Sequence, residues 1–173
     1  RLINRYDVEN IQKELFDYAL LKSADIELQR RKKITPQFSI VTNGMIWSDA
    51  FVNFLEYWRS KTGVIDVQLS YDGPPEVENM CRIGVDLNGK TSGEVMEENF
   101  PLIVDFAQRN NIKLGDEIYI HNVVTKKTLP YLSKSWEYFT EKGFPGFWHL
   151  MLLEEEWTDE DATLYFNELD KIY

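Results

Sequence analysis

Apolar positions along the chain switch repeatedly between helical and strand spacing, and the switches outline its elements. Ile11, Leu15, Tyr18 and Leu21 recur at helical spacing behind Asp7, a capping residue, and predict a first helix. Gln37 to Val41 reads as a strand closed by Thr42-Asn43-Gly44. Ser48 caps a second helix with Phe51, Phe54, Leu55 and Trp58 on one side, stopped near Gly63. Alternation from Val64 to Ser70 predicts the next strand, and a longer connection follows, punctuated by Pro74, Pro75, Gly84 and Gly89. Thr91 and Glu94 have capping-box spacing and open a helix through Val95, Phe100, Ile103, Val104 and Phe106. Glu117 to Val124 is a third strand, Leu129 to Lys142 a helix with Leu132, Trp136 and Phe139 inward, and Phe147 to Leu153 a fourth strand. Thr158 and Asp161 cap a last helix carrying Leu164, Phe166 and Leu169.

Such regular alternation predicts parallel strands joined by right-handed crossovers. The fold class is therefore α/β, with at least four parallel strands alternating with helices. Four strands are too few to close the common barrel, which needs about eight. Either the sheet is open or the chain is a partial (β/α) barrel.

The chain has 173 residues, enough for one domain with a sizeable core, and 1–173 is read as a single domain. Its net charge of −10 argues against nucleic acid or an anionic membrane as the main partner. Arg30-Arg31-Lys32-Lys33 runs against that balance and reads as a solvated helix end, with a phosphate or RNA patch as the rival reading. One cysteine, Cys81, excludes an internal disulfide or a multi-cysteine metal site built from this chain alone. No apolar run approaches a membrane span and no signal peptide is evident, so the expected compartment is cytoplasmic.

Chemistry in α/β folds gathers at the C-terminal ends of the strands. Two strand ends carry it here: Thr42-Asn43-Gly44, and Ser70-Tyr71-Asp72-Gly73-Pro74, where Ser70 and Asp72 would share a face if the strand continued. Asp72 before Gly73 and Asn43 before Gly44 also suit ordinary turns, and both readings stand at this point. Cys81 reads as a small filler rather than a nucleophile, since no histidine lies near it in sequence. His121 and His149 fall within strands and read as core or wall residues ahead of a metal or acid–base pair. Glu154-Glu155-Glu156 reads as solvated acid at a helix start, although such a group could also grip a basic substrate.

Taken together and in order, Thr42-Asn43-Gly44, Ser70-Tyr71-Asp72-Gly73-Pro74, Asn79, Arg82, Gly89-Lys90-Thr91-Ser92, Val95 and Asn99 resemble the radical S-adenosylmethionine (SAM) enzymes. The resemblance is to the branch of sulfatase-maturating and peptide-modifying enzymes, and it spans residues 37–173. It implies a partial (β/α) barrel holding S-adenosylmethionine and a [4Fe-4S] cluster, with hydrogen abstraction from a peptide or protein substrate. It further implies that Ser70 contacts the methionine moiety, that Arg82 pairs with the cofactor carboxylate, and that Asn43 and Asp72 line the same mouth. A guanidinium suits a carboxylate because its fork is planar and two-pronged.

The family's C-x-x-x-C-x-x-C cluster loop and G-G-E-P strand end have no counterpart in this sequence. The chain is thus expected to be the C-terminal part of such a barrel, its partner the missing N-terminal half. The alternative is a cluster-free, non-catalytic α/β module that binds a partner through the same strand ends.

Overall fold

The computed structural model describes residues 39–86, 88–152 and 156–173. The helix expected behind Asp7, the start of the first expected strand, the Arg30–Lys33 cluster and Glu154-Glu155 lie outside the described residues. Within them, strands β1 (Ser39–Thr42), β2 (Asp66–Ser70), β3 (Ile118–Val124) and β4 (Phe147–Met151) form one sheet in the order β1-β2-β3-β4. The strands are parallel and alternate with helices, an α/β fold consistent with part of a (β/α) barrel. Sequential order in a parallel sheet follows when each crossover is short and of one hand.

The described residues fall into two compact units, 39–40 with 47–66 and 41–46 with 67–173. In the first, helix α1 (Asp49–Thr62) starts where Ser48 Oγ accepts the Phe51 N–H at 3.3 Å. It stops at Gly63, whose φ of 82° suits glycine and whose N–H returns to Arg59 O at 2.7 Å. Phe51, Phe54, Leu55 and Trp58 are buried, as their spacing predicts.

The second unit carries helices α2 (Pro75–Cys81), α3 (Ser92–Arg109), α4 (Leu132–Glu141) and α5 (Asp159–Ile172). Both anticipated capping boxes form: Thr91 with Glu94 at α3, and Thr158 with Asp161 at α5. Helix α2 falls within the expected long connection, where two prolines and a seven-residue length give no periodic signal. Proline is nevertheless well placed at a helix start, where its missing N–H costs nothing. The helix expected from Leu129 begins with a 3-10 turn, Leu129–Tyr131, before α4 proper. Phe166, one of the apolar residues carried by α5, is exposed.

The core of this unit is aromatic. Tyr71, Phe100, Phe139 and Phe144 are fully buried. Tyr71 meets Phe100 and Phe139 edge-on with centroids 5.5 and 5.9 Å apart, and Phe100 meets Phe144 at 5.9 Å. Burying each such ring stabilises by roughly 1.5–3 kcal/mol, with a further gain from edge-to-face contact.

Strand β3 shows how the sheet's two faces differ. Ile118, Ile120, Asn122 and Val124 are buried, whereas Tyr119, His121 and Val123 between them are only partly covered. Register puts Ser70 beside His121, and His121 beside Trp148, on the less covered face. Trp148 is 67% exposed there and Leu150, next to Val123, is 52% exposed. A parallel sheet is normally buried on both faces, so the described residues leave this face only half covered.

Candidate functional site

The C-terminal end of β2 is built around a reversal at Tyr71-Asp72-Gly73. The strand ladder persists to the Tyr71 N–H, which reaches His121 O at 3.2 Å. The chain then departs, and Asp72 substitutes its side chain for the ladder: Asp72 Oδ1 accepts the Val123 N–H at 2.9 Å. Asn122 Nδ2 donates to Asp72 O, and Ser135 Oγ donates to the same oxygen at 3.2 Å. Gly73 is required by crowding, since a Cβ there would collide with Ser135 Oγ and lie 3.0 Å from Val77 Cβ. Because β2 ends at Ser70, strand alternation no longer governs Asp72. It is 2% exposed, while Ser70 stays half-buried on the open side.

Helix α2 follows at once and delivers two more groups to Asp72. The Arg82 guanidinium donates through Nε to Asp72 Oδ2 at 2.9 Å and through Nη2 to Asp72 Oδ1 at 3.3 Å, a two-pronged ion pair. Arg82 Nε also lies 3.3 Å from Glu78 Oε1, one helical turn back. The Glu78 carboxylate is completely buried. Its Oε2 accepts the Asp72 N–H at 2.8 Å, and its Oε1 accepts the Ser92 hydroxyl at 2.6 Å. Burial pushes Glu78 up to about 7, and the neighbouring Asp72 charge adds to the rise; the Ser92 and Asp72 backbone hydrogen bonds and the Arg82 cation hold it from going further.

Asn79, also on α2, fastens the start of α3. Its Oδ1 accepts the Gly93 N–H at 3.2 Å and its Nδ2 donates to Thr91 Oγ1 at 3.1 Å. Gly93 lets the two helix starts approach, because a Cβ there would lie 2.6 Å from Pro75 Cα. Tyr71 completes the joint by donating to Gly93 O at 3.3 Å.

Of the four residues singled out in the sequence, the structure joins two, Asp72 and Arg82. Ser70 stands on the open face beside His121, and its hydroxyl has no hydrogen-bond partner among the described residues. Asn43 is exposed, and its Oδ1 accepts the Met45 N–H at 3.2 Å, which is the plain turn geometry. The same turn is anchored by Asn99, whose Nδ2 donates to Gly44 O at 2.7 Å. Gly44 itself has φ 68° and no room for a Cβ beside Met96 Sδ.

His121 and His149 occupy opposite faces, since His149 pairs in register with buried Asn122. His149 Nε2 lies 2.7 Å from the Tyr165 hydroxyl, and burial holds its pKa below the usual histidine value. Register therefore does not bring the two rings together on one face of the sheet. Cys81 is half-buried, with Sγ 3.5 Å from Thr125 Oγ1. Glu78 is the group that sequence reading missed. A buried glutamate looks like a surface one in sequence, and its i,i+4 spacing to Arg82 is the one local signal it carries.

No family model matches the chain, and no curated protein matches it either. Among solved structures, one described as "Native anSMEcpe with bound AdoMet" is similar to it, with a TM-score of 0.61 and 26% identity. The likeness covers 84% of this chain and 40% of that one, so this chain spans well under half of its neighbour's length.

Proposed function

We propose that this chain supplies the AdoMet-receiving strand ends of a radical S-adenosylmethionine enzyme that modifies a peptide or protein. The observation that carries the reading is the fold likeness to a structure with AdoMet bound, together with the ordered Asp72–Arg82 pair at a strand end. Arg82 is held along one edge only. Its Nη1 donors make no hydrogen bond among the described residues, and its side chain is 29% exposed. A guanidinium pinned on its Nε side keeps a donor edge for a carboxylate such as that of AdoMet.

In this reading Arg82 grips the methionine carboxylate and Ser70 adds a hydroxyl from the open face. Asp72 orients Arg82 from beneath, and Asn43 shapes the neighbouring strand end. AdoMet, when bound in such an enzyme, supplies a 5′-deoxyadenosyl radical able to take a substrate hydrogen. The residues present do not fit the [4Fe-4S] cluster. Cys81 is the sole cysteine, and no group of three metal-binding side chains occurs among the described residues. Cluster ligation is therefore assigned to sequence outside this chain.

The test is titration of AdoMet into the reconstituted full-length protein, wild type and Arg82→Ala. Loss of a buried charge-assisted contact should weaken binding roughly ten- to a hundredfold. Equal affinities would remove Arg82 from the site. Tight binding with no reductive cleavage of AdoMet would favour the non-catalytic binding module instead.

A further inference from the structure

Three features lie outside the roles just assigned: the cleft beside β4 and α5, the exposed Trp148–Leu150 pair, and the buried Glu78. Only the last is built in detail around a group with a proposed task.

We propose that Glu78 is a positioning residue for Arg82, and that its ionised carboxylate holds the guanidinium in the pose that receives an anionic ligand. This rests on the reading of Arg82 as the ligand-carboxylate contact. Among the described residues, Glu78 is the side chain that ties all three pieces of the site together. Through Oε2 it holds the Asp72 N–H at the strand end; through Oε1 it holds the Ser92 hydroxyl at the start of α3 and lies within ion-pair distance of Arg82 Nε. Asp72 is already held at its carbonyl oxygen by Asn122 and Ser135 and at Oδ1 by the Val123 N–H. Glu78 adds the tie at the Asp72 N–H and places a second anion beside Arg82 Nε.

Burial of an uncompensated carboxylate is costly, and here one cation faces two anions. The charged and titratable groups facing Glu78 are Asp72 and Tyr71 from the end of β2, and Arg82 from the end of its own helix; α3 contributes only the neutral Ser92 hydroxyl. Tyr71 stays protonated, because burial and the Glu78 charge both raise its pKa. Of this cluster, Glu78 is thus the member that changes charge near neutrality. Protonation breaks its attraction to Arg82 Nε and turns one of its two acceptor oxygens into a donor. A proton on Oε1 reverses the Ser92 hydrogen bond, with Ser92 Oγ now accepting, and leaves Arg82 Nε with Asp72 as its one anionic partner of the two. The arrangement holds Arg82 firmly above neutral pH and loosely below it.

The experiment measures AdoMet affinity of the full-length protein from pH 6 to pH 8, for wild type, Glu78→Gln, Ser92→Ala and Arg82→Ala. Wild type should bind more weakly at pH 6 than at pH 8, by up to about tenfold, with a midpoint near 7. Glu78→Gln should be weak and flat across the range. In that variant only one of the two positions now held by Oε1 and Oε2 can be an acceptor, so a folding check by circular dichroism accompanies it. Ser92→Ala tests the proposal independently: it removes a hydrogen bond that favours the ionised form, so the midpoint should move upward. A flat wild-type profile, or a midpoint unmoved by Ser92→Ala, overturns the proposal. If Arg82→Ala binds as wild type, the parent reading of Arg82 fails. If Arg82→Ala is weak while Glu78→Gln matches wild type at every pH, only the positioning role fails.

Discussion

At the scale of single residues, the same buried carboxylate that organises the β2 end also weakens the fold. Glu78 has a folded pKa of about 7, above its ordinary value of 4.5. Between those values the folded protein binds more protons than the unfolded chain, so stability falls as pH rises through the window. A shift of that size corresponds to roughly 3 kcal/mol. Urea unfolding at pH 5 and pH 7.5 should show this slope in wild type and lose it in Glu78→Gln. A variant that keeps the full slope would show that another group titrates there. Beyond the i,i+4 spacing to Arg82, sequence carries no sign of this. Glu76 and Glu78 look alike along the chain, yet Glu76 is exposed and paired with Lys134 at 2.6 Å, whereas Glu78 is sealed.

Among the elements, what could be read in advance divides cleanly by range. Ser48, Thr91 and Thr158 cap helices as expected, because a cap is satisfied within three residues of itself. Helix α2 has no such local mark: it is short, and it is held by Glu78 and Asn79 reaching α3. The strand-end pair of Ser70 and Asp72 is half legible. Their residue types and spacing fit, but where β2 stops is decided by Asp72 bonding to Val123, fifty-one positions later. The row Ser70, His121, Trp148 is hidden for the same reason, since register between strands is a long-range property. The close approach of α2 and α3 gives this scale its prediction. Gly93→Ala would drive a methyl into the Pro75 backbone and should cost about 1–3 kcal/mol. Chemical denaturation would measure it. A loss under about 0.5 kcal/mol, the usual range for a surface change, would mean that the helix starts are not packed as described.

For the whole molecule, the buried Glu78 and the half-buried His149 pull the pH profile in opposite directions. His149 has its pKa lowered by burial, so the stability it contributes is present above the ordinary histidine value and is lost as pH falls below it. Glu78 acts in the reverse sense over an overlapping range. His149 should therefore blunt the Glu78 slope below the ordinary histidine value, and His149→Gln should steepen the decline toward neutral pH. Thermal melts of both proteins across that range would show it; parallel curves would exclude His149 as the balancing group. No helix among the described residues is long and apolar enough to cross a membrane.

One peptide oxygen has consequences beyond its neighbourhood. Asp72 O is gripped both by Asn122 from inside the sheet and by Ser135 from the outer helix α4. The outer layer of the fold is thus mechanically connected to the guanidinium, with Asp72 as a link between Ser135 and Arg82. Redesign of α4 for solubility or crystal packing would, at position 135, be an edit to the proposed ligand pocket.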